Sequence, residues 1–419
     1  MIQSSAIVPT AFSINGSDSA AVDAFSRLRM SSPETLLDVQ NQYNTEALRM
    51  ESGATGAGVV PAHSASTRLV TLQVNAGGAG GTSFTQSFAY IPYQPGKSQL
   101  ILLTGVMGAA TAGAVKRFGY GDAANGIFYE QNGTNGLQLN RRTSTTGVVA
   151  NNTVPQASWN IDPFNGTGPS GITISAANTF ILVIDLQFLG MGRIRVGFDV
   201  AGVVYYAHQF LNANILTVPY MQTATLPLLA EIIAAAALGG AATAQFKCGA
   251  VISEGGFEGD TGRNFSNQSS ATAANGARTH ILSVRPSLTF NGFTNRGLFH
   301  LDDISILAGQ AAVLWELVIG AAFTVAPTFA ANNATYSFMD VGTGGTFANL
   351  TTGVLVASGY VPNGTGVVRN TVAKDMLVSY PIVLDRAGAV RALGTMSLLV
   401  TGISGTSACQ AAFNWHEVR

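Results

Sequence analysis

At 419 residues the chain is long enough for two or three domains, each with a full core. Charged residues are only 10% of it, against about 25% in an ordinary soluble protein, while 48 residues are glycine and the net charge is −1. An apolar content of 47% excludes a disordered chain, the want of an unbroken apolar run of about 18 residues excludes a spanning helix, and the want of a basic excess speaks against nucleic acid as a partner. What remains is a chain with much of its surface covered by other chains, as in an obligate oligomer or a particle.

Residues 1–24 are small and polar without a period, and read as an extended arm. No basic region followed by an apolar core opens the chain, so no signal peptide is expected. Phe25, Leu28, Leu36 and Leu37 follow, interrupted by Pro33, through which a helix cannot continue. On an isolated arm these side chains would be exposed, so they must dock. They pack either on the chain's own first domain or on a neighbouring subunit, and the sequence leaves both open. Residues 40–66 are rich in glycine and alanine and read as a connector, which makes 1–66 arm plus connector. On this reading, deleting residues 1–39 leaves the folded domains intact.

Strand patterns then begin. Residues 68–74 alternate, 82–90 return, Tyr93 to Ser98 carries a Pro95-Gly96 turn, and 99–106 is a buried run. Asn125-Gly126, Asn132-Gly133 and Asn135-Gly136 are hairpin signals. Residues 180–210 form the most informative stretch. Phe180 to Ile184 is a continuous apolar run, as in a strand buried on both faces. Leu189-Gly190-Met191-Gly192 is a turn. Arg193, Arg195, Gly197 and Asp199 then alternate with Ile194, Val196, Phe198 and Val200, giving a wet and a dry face. Ala201-Gly202 turns the chain into an aromatic strand through Tyr205, Tyr206 and His208. Such a meander needs a second sheet against its dry face. The alanine-rich run 226–240 reads as a strand, although alanine favours helix. These elements make 67–253 a first β-sandwich. Residues 254–277 read as a polar linker, and 278–419 as a second β-sandwich with strands near 281–284, 298–307, 313–319, 335–341, 354–357, 376–384, 396–403 and 409–418. The fold class is all-β: an extended arm and two jelly-roll-like sandwiches.

Chemistry is sparse. Glu254, Glu258 and Asp260 are better read as a solvated linker than as a calcium loop. Asp302 and Asp303 follow His300 on a strand, where adjacent residues face opposite ways and cannot form an acid–base pair. The remaining histidines are isolated, Cys248 and Cys409 lack metal spacing, and no nucleophile elbow, phosphate loop or zinc-helix motif occurs. No cofactor, no metal and no catalysis are expected. Arg193 and Arg195, with Tyr205, are the candidate contacts for a ligand such as a phosphate or an acidic sugar, although a wet sheet face explains the arginines as well.

Several segments together resemble a known family. Phe25-Ser26-Arg27-Leu28-Arg29-Met30-Ser31 with Glu34-Thr35-Leu36-Leu37-Asp38 is similar to an N-terminal signature of tailed-bacteriophage virion structural proteins. Tyr93-Gln94-Pro95-Gly96-Lys97-Ser98-Gln99, Asn125-Gly126-Ile127-Phe128-Tyr129-Glu130, the stretch from Gly190 to Phe198, Ser253-Glu254-Gly255-Gly256 and Asn414-Trp415-His416-Glu417-Val418-Arg419 fit the same family in the same order. The resemblance implies a structural virion component made in the bacterial host cytoplasm and does not fix its station; the reading favoured here is the tail, baseplate or fibre base. The alternative station is the head surface, as a capsid decoration protein. It implies assembly with copies of itself as a homotrimer and with other virion proteins, through an arm interface of Phe25, Arg27, Leu28, Arg29, Leu36 and Leu37. The meander also resembles the core hairpins of concanavalin-like jelly rolls, which keeps open a carbohydrate-binding module for a host surface glycan. Neither nucleic acid nor membrane insertion is implied.

Overall fold

The alternating runs fold as antiparallel strands that build two sandwiches, in a computed structural model that describes residues 32–256, 262–351, 353–364, 367–371 and 381–419. In the first sandwich one sheet runs β13 (Val203–Phe210), β12 (Ile194–Val200), β11 (Thr179–Leu186), β6 (Gln99–Val106), β15 (Ala242–Ser253), β4 (Val70–Val74) and β3 (Gly58–His63), with β1 (Glu34–Val39) also on β15. The facing sheet runs β10 (Ala150–Pro155), β9 (Gly136–Thr143), β8 (Gly126–Asn132), β7 (Ala114–Gly121), β14 (Leu228–Ala234), β5 (Thr82–Ser87) and β2 (Met50–Thr55). Alternate side chains of both meet in one core, where Phe118, Tyr129, Leu182, Ile184, Val196 and Phe246 are all buried.

The second sandwich pairs a sheet of β16 (Arg263–Ala273), β29 (Ser407–Val418), β20 (Leu298–Ala308) and β27 (Val367–Thr371) with one of β23 (Thr328–Ala331), β24 (Met339–Thr343), β17 (Thr279–Pro286), β28 (Met396–Gly402), β21 (Val313–Ile319) and β26 (Val354–Val361). Two small hairpins, β18 (Thr289–Phe290) with β19 (Phe293–Thr294) and β22 (Ala322–Val325) with β25 (Thr346–Asn349), complete it. Trp415, Phe413, Leu398 and Ile304 fill its core. Among the described residues helix is confined to one 3-10 turn, Gln156–Ser158, so no helix is long and apolar enough to cross a membrane. The all-β, two-sandwich expectation holds.

Several boundaries differ from the sequence reading. The segment 1–66 is not arm and connector throughout: its residues 34–39, 50–55 and 58–63 are strands of the first sandwich. Leu37 pairs with Val251 and is 3% exposed, and Val39 is 2% exposed. Deletion through residue 39 therefore removes core, contrary to expectation. The linker 254–277 likewise contains β16, an 11-residue strand paired along its length with β29. Ile181 is 40% exposed, so β11 is not buried on both faces. The strand expected over 376–384 lies partly outside the described residues, and its described end makes only an isolated bridge, Leu384 to Val390. Of the run at 226–240, Leu228–Ala234 is a strand, β14.

The sandwiches are interlocked. Arg386 donates its backbone N–H to Glu51 Oε2 at 2.7 Å, and its guanidinium lies 4.2 Å over the Phe84 ring. Arg391 bonds the Leu48 carbonyl at 3.1 Å and stacks 3.7 Å over Phe88, while Arg296 stacks 4.3 Å over Tyr90. The second sandwich thus covers part of the outer face of the β2–β5–β14 sheet.

Candidate functional site

Strand order builds the site. β6 lies between β11 and β15 and runs antiparallel to both, so Gln99 at its start pairs with Leu186 and Ser253 at their ends. The loops before β6, after β11 and after β15 therefore meet at one end of the sheet, although they are far apart in the sequence. They carry three of the segments on which the family resemblance rests, namely 93–99, 190–198 and 253–256.

Each loop is held rigidly. Leu189 and Gly190 take φ of 42° and 73°, a turn that brings Met191 N–H to the Phe188 carbonyl at 3.0 Å. A Cβ at Gly192 would lie 2.1 Å from the Gln187 carbonyl oxygen, so no side chain fits there. Tyr93 stands edge-on to Phe188 at 5.4 Å and its hydroxyl accepts the Leu189 N–H at 3.2 Å. Ser98 Oγ donates to Glu254 Oε2 at 2.7 Å, and the Glu254 N–H returns to the Ser98 carbonyl at 3.0 Å.

Between these loops lies a groove of about 350 Å³ lined by Tyr93, Lys97, Asp185, Gln187, Arg193 and Glu254, among others. Arg193 and Arg195 form its wall and are shared with a second open groove of about 490 Å³, whose lining includes Asp162, Ser170, Tyr205, Tyr206 and Gln209. The two arginines are therefore a ridge with a mainly polar groove on one side and a more apolar one on the other. Arg195 is directly opposite Asp185 across β11 and β12. Its Nε donates to Asp185 Oδ2 at 2.8 Å, its Nη2 contacts the same oxygen, and its guanidinium lies 4.2 Å over the Tyr206 ring. The Tyr206 hydroxyl also donates to Asp185, at 3.3 Å, and burial followed by that carboxylate raises its pKa. Asp162 is spent on backbone: it accepts the Phe164 and Ser170 N–H groups at 2.8 Å each. Burial alone would raise its carboxyl, but these bonds outweigh it and hold the pKa below the usual value. Arg193 is exposed, and among the described residues its guanidinium makes no ion pair or hydrogen bond.

The candidate contacts Arg193, Arg195 and Tyr205 are thus brought together, with Tyr205 turned toward the core and Tyr206 outward under Arg195. The arm residues are not gathered with them. Leu36 and Leu37 pack in the chain's own first core, which resolves their docking in favour of this chain, while Phe25, Arg27, Leu28 and Arg29 lie outside the described residues. Glu258 and Asp260 also lie outside them, and among the described residues no three His, Cys, Asp or Glu side chains are grouped to hold a metal. Asp185, Gln187 and Lys97 were missed by sequence reasoning, because only the order of β11, β6 and β15 makes them neighbours.

Two other polar clusters appear. On the opposite sheet Arg117 lies across from both Glu130 and Glu231, at 3.3 and 3.5 Å, and Arg386 from the second sandwich also pairs with Glu231. Gln138 and Asn140 donate to Glu130 at 2.7 and 3.0 Å. This is a closed ionic clamp. In the second sandwich a bulge between Leu301 and Asp303 overturns the expectation that Asp302 and Asp303 serve opposite faces. Asp302 contacts His416 Nδ1 at 2.7 Å, Asp303 accepts from Asn414 at 2.6 Å, and His416 stacks on His300 at 4.7 Å.

No family model matches the chain, and no curated protein matches its sequence. Solved structures match about half of it. A β-glucanase of Bacillus licheniformis is 14% identical, with 53% of this chain and 99% of that chain covered and a TM-score of 0.32. A glycosyl hydrolase family protein of Mycobacterium fortuitum is 12% identical, covering 52% and 99% at a TM-score of 0.33. A protein of unknown function from Shewanella oneidensis is 9% identical, covering 53% and 87% at 0.33. The expectation of a chain without catalysis is corrected here: glycoside hydrolases stand among the matching structures, so an absence of catalysis is not assigned. At such identities and TM-scores the likeness assigns no reaction.

Proposed function

We propose that the chain is a structural component of a tailed-phage particle, stationed at the tail, baseplate or fibre base and assembled with copies of itself as a homotrimer. The observation that carries this reading is the clustering of the resemblance segments. Three of them, separated by up to about 160 residues in the sequence, fold into one rigid corner around Tyr93, Ser98 and Glu254. The low charge supports it as well: Ile181 and Val203 are 40% and 51% exposed on the β11–β13 sheet, surface suited to cover by other chains. A head-surface station is the alternative within the same reading.

The test is to localise the chain in intact particles by electron cryomicroscopy. Density at the tail or baseplate with threefold packing is the expected result. Density on the head lattice selects the decoration alternative, and absence from particles defeats the proposal. A chain lacking residues 1–31 should keep both sandwiches folded and fail to enter particles.

A further inference from the structure

We propose that the Arg193–Arg195 ridge is a binding site for an acidic saccharide, a sugar chain bearing carboxylates. The site stands whether or not the chain belongs to a particle. Side-chain pairing leads to it. Asp185 is paired with Arg195 and Tyr206, while Asp162 and Glu254 remain carboxylates held by two backbone N–H groups and by Ser98, and Lys97 shares the lining with Glu254. Arg193 is left as an exposed guanidinium at the boundary of two grooves, on a hairpin that its glycines and Tyr93 hold in place. A planar guanidinium offers two parallel N–H donors, which match the two oxygens of a carboxylate.

The surroundings select a sugar over a bare anion. Both grooves are open and adjoin at the two arginines, which suits an extended chain better than an enclosed ion. Gln187, Gln209 and Ser170 supply amide and hydroxyl groups of the kind that satisfy sugar hydroxyls. Val204 and the edge of Tyr206, both on the outer face, supply apolar surface for the C–H face of a ring. Arg195 is held by Asp185 and Tyr206, so its remaining N–H donors are fixed in place without needing to reorganise. The polar face of the other sheet offers no such opening, because Arg386 and Arg391 close it.

Calorimetric titration of the full chain with a hexuronate oligosaccharide, a neutral glucan oligosaccharide of equal length and inorganic phosphate tests this. The hexuronate should bind, more weakly as salt is raised, and the neutral oligomer and phosphate should bind at least roughly tenfold more weakly. Arg193→Ala should weaken hexuronate binding by roughly tenfold or more with an unchanged melting curve, since the side chain is exposed and unpaired. Arg193→Lys keeps the charge but not the fork, and should recover only part of the affinity. Equal binding of hexuronate and neutral oligomer, equal or tighter binding of phosphate, no binding of hexuronate, or full affinity in Arg193→Ala would each overturn the proposal.

Discussion

The first sandwich carries two arginine–carboxylate arrays, one on each sheet, and they have opposite fates. On β7, β8 and β14, Arg117 is flanked by Glu130 and Glu231, and the second sandwich closes over them with Arg386. On β11 and β12, Arg195 and Asp185 form one cross-strand pair, and the adjacent Arg193 faces open grooves. Both arise from the same device, opposite charges at facing positions of an antiparallel pair. Burial separates them: the side chain of Glu231 is 2% exposed, whereas that of Arg195 is 33% exposed. The closed array is a clamp between sandwiches, and the open one keeps a charge available to a ligand.

Removing one member of the closed array should have the largest effect. Glu231→Ala leaves Arg386 without its carboxylate and Arg117 with Glu130 alone, and denaturant unfolding should show a loss of about 3–5 kcal/mol. Leu37→Ala, in a strand the sequence reading assigned to an arm, should cost about 2–5 kcal/mol by leaving a cavity under β15. A loss near zero would return Leu37 to an assembly role.

Acidification comes next. His208 Nδ1 accepts the Asn160 N–H at 3.1 Å and His280 Nδ1 accepts the Gly345 N–H at 3.2 Å, so each ring is held neutral. Burial lowers both pKa values to about 4. Because the unfolded rings titrate near 6.5, the unfolded chain binds more protons between these values. The stabilisation is complete above about pH 6.5 and is lost as the pH falls toward 4. Each histidine should cost roughly 2 kcal/mol between pH 7 and 5, and His208→Gln should flatten the pH dependence of the first sandwich only.

The open array should yield the smallest changes. Asp185→Asn should cost at most about 1 kcal/mol, because the pair is partly exposed and solvent-screened. Arg193→Ala should change stability by no more than about 0.5 kcal/mol while removing ligand binding. A large loss of stability in Arg193→Ala would erase the contrast between the arrays.

The meander was legible because its information is local. Period-two alternation fixes the buried set Ile194, Val196 and Phe198, and Ala201-Gly202 takes φ of 56° and 83°, the left-handed pair that a two-residue hairpin needs. The strands at 34–63 were not legible, because their partners lie far along the chain: Leu37 pairs with Val251, and Met50 with Ser87. The bulge at Leu301 to Asp303 left no mark in the residue pattern, and so Asp302 and Asp303 were assigned to opposite faces. Arg193 and Arg195 could be picked out as alternating charges, but Lys97, Asp185 and Gln187 joined them only through the sheet order β11–β6–β15.

Hydrogen exchange of the full chain, followed by mass spectrometry with and without a hexuronate oligosaccharide, tests the division between closed and open arrays most directly. Added protection at residues 93–98, 187–195 and 204–206, with none across 126–143, is the result expected of a ligand on the ridge. Protection across 126–143, or nowhere, would contradict it.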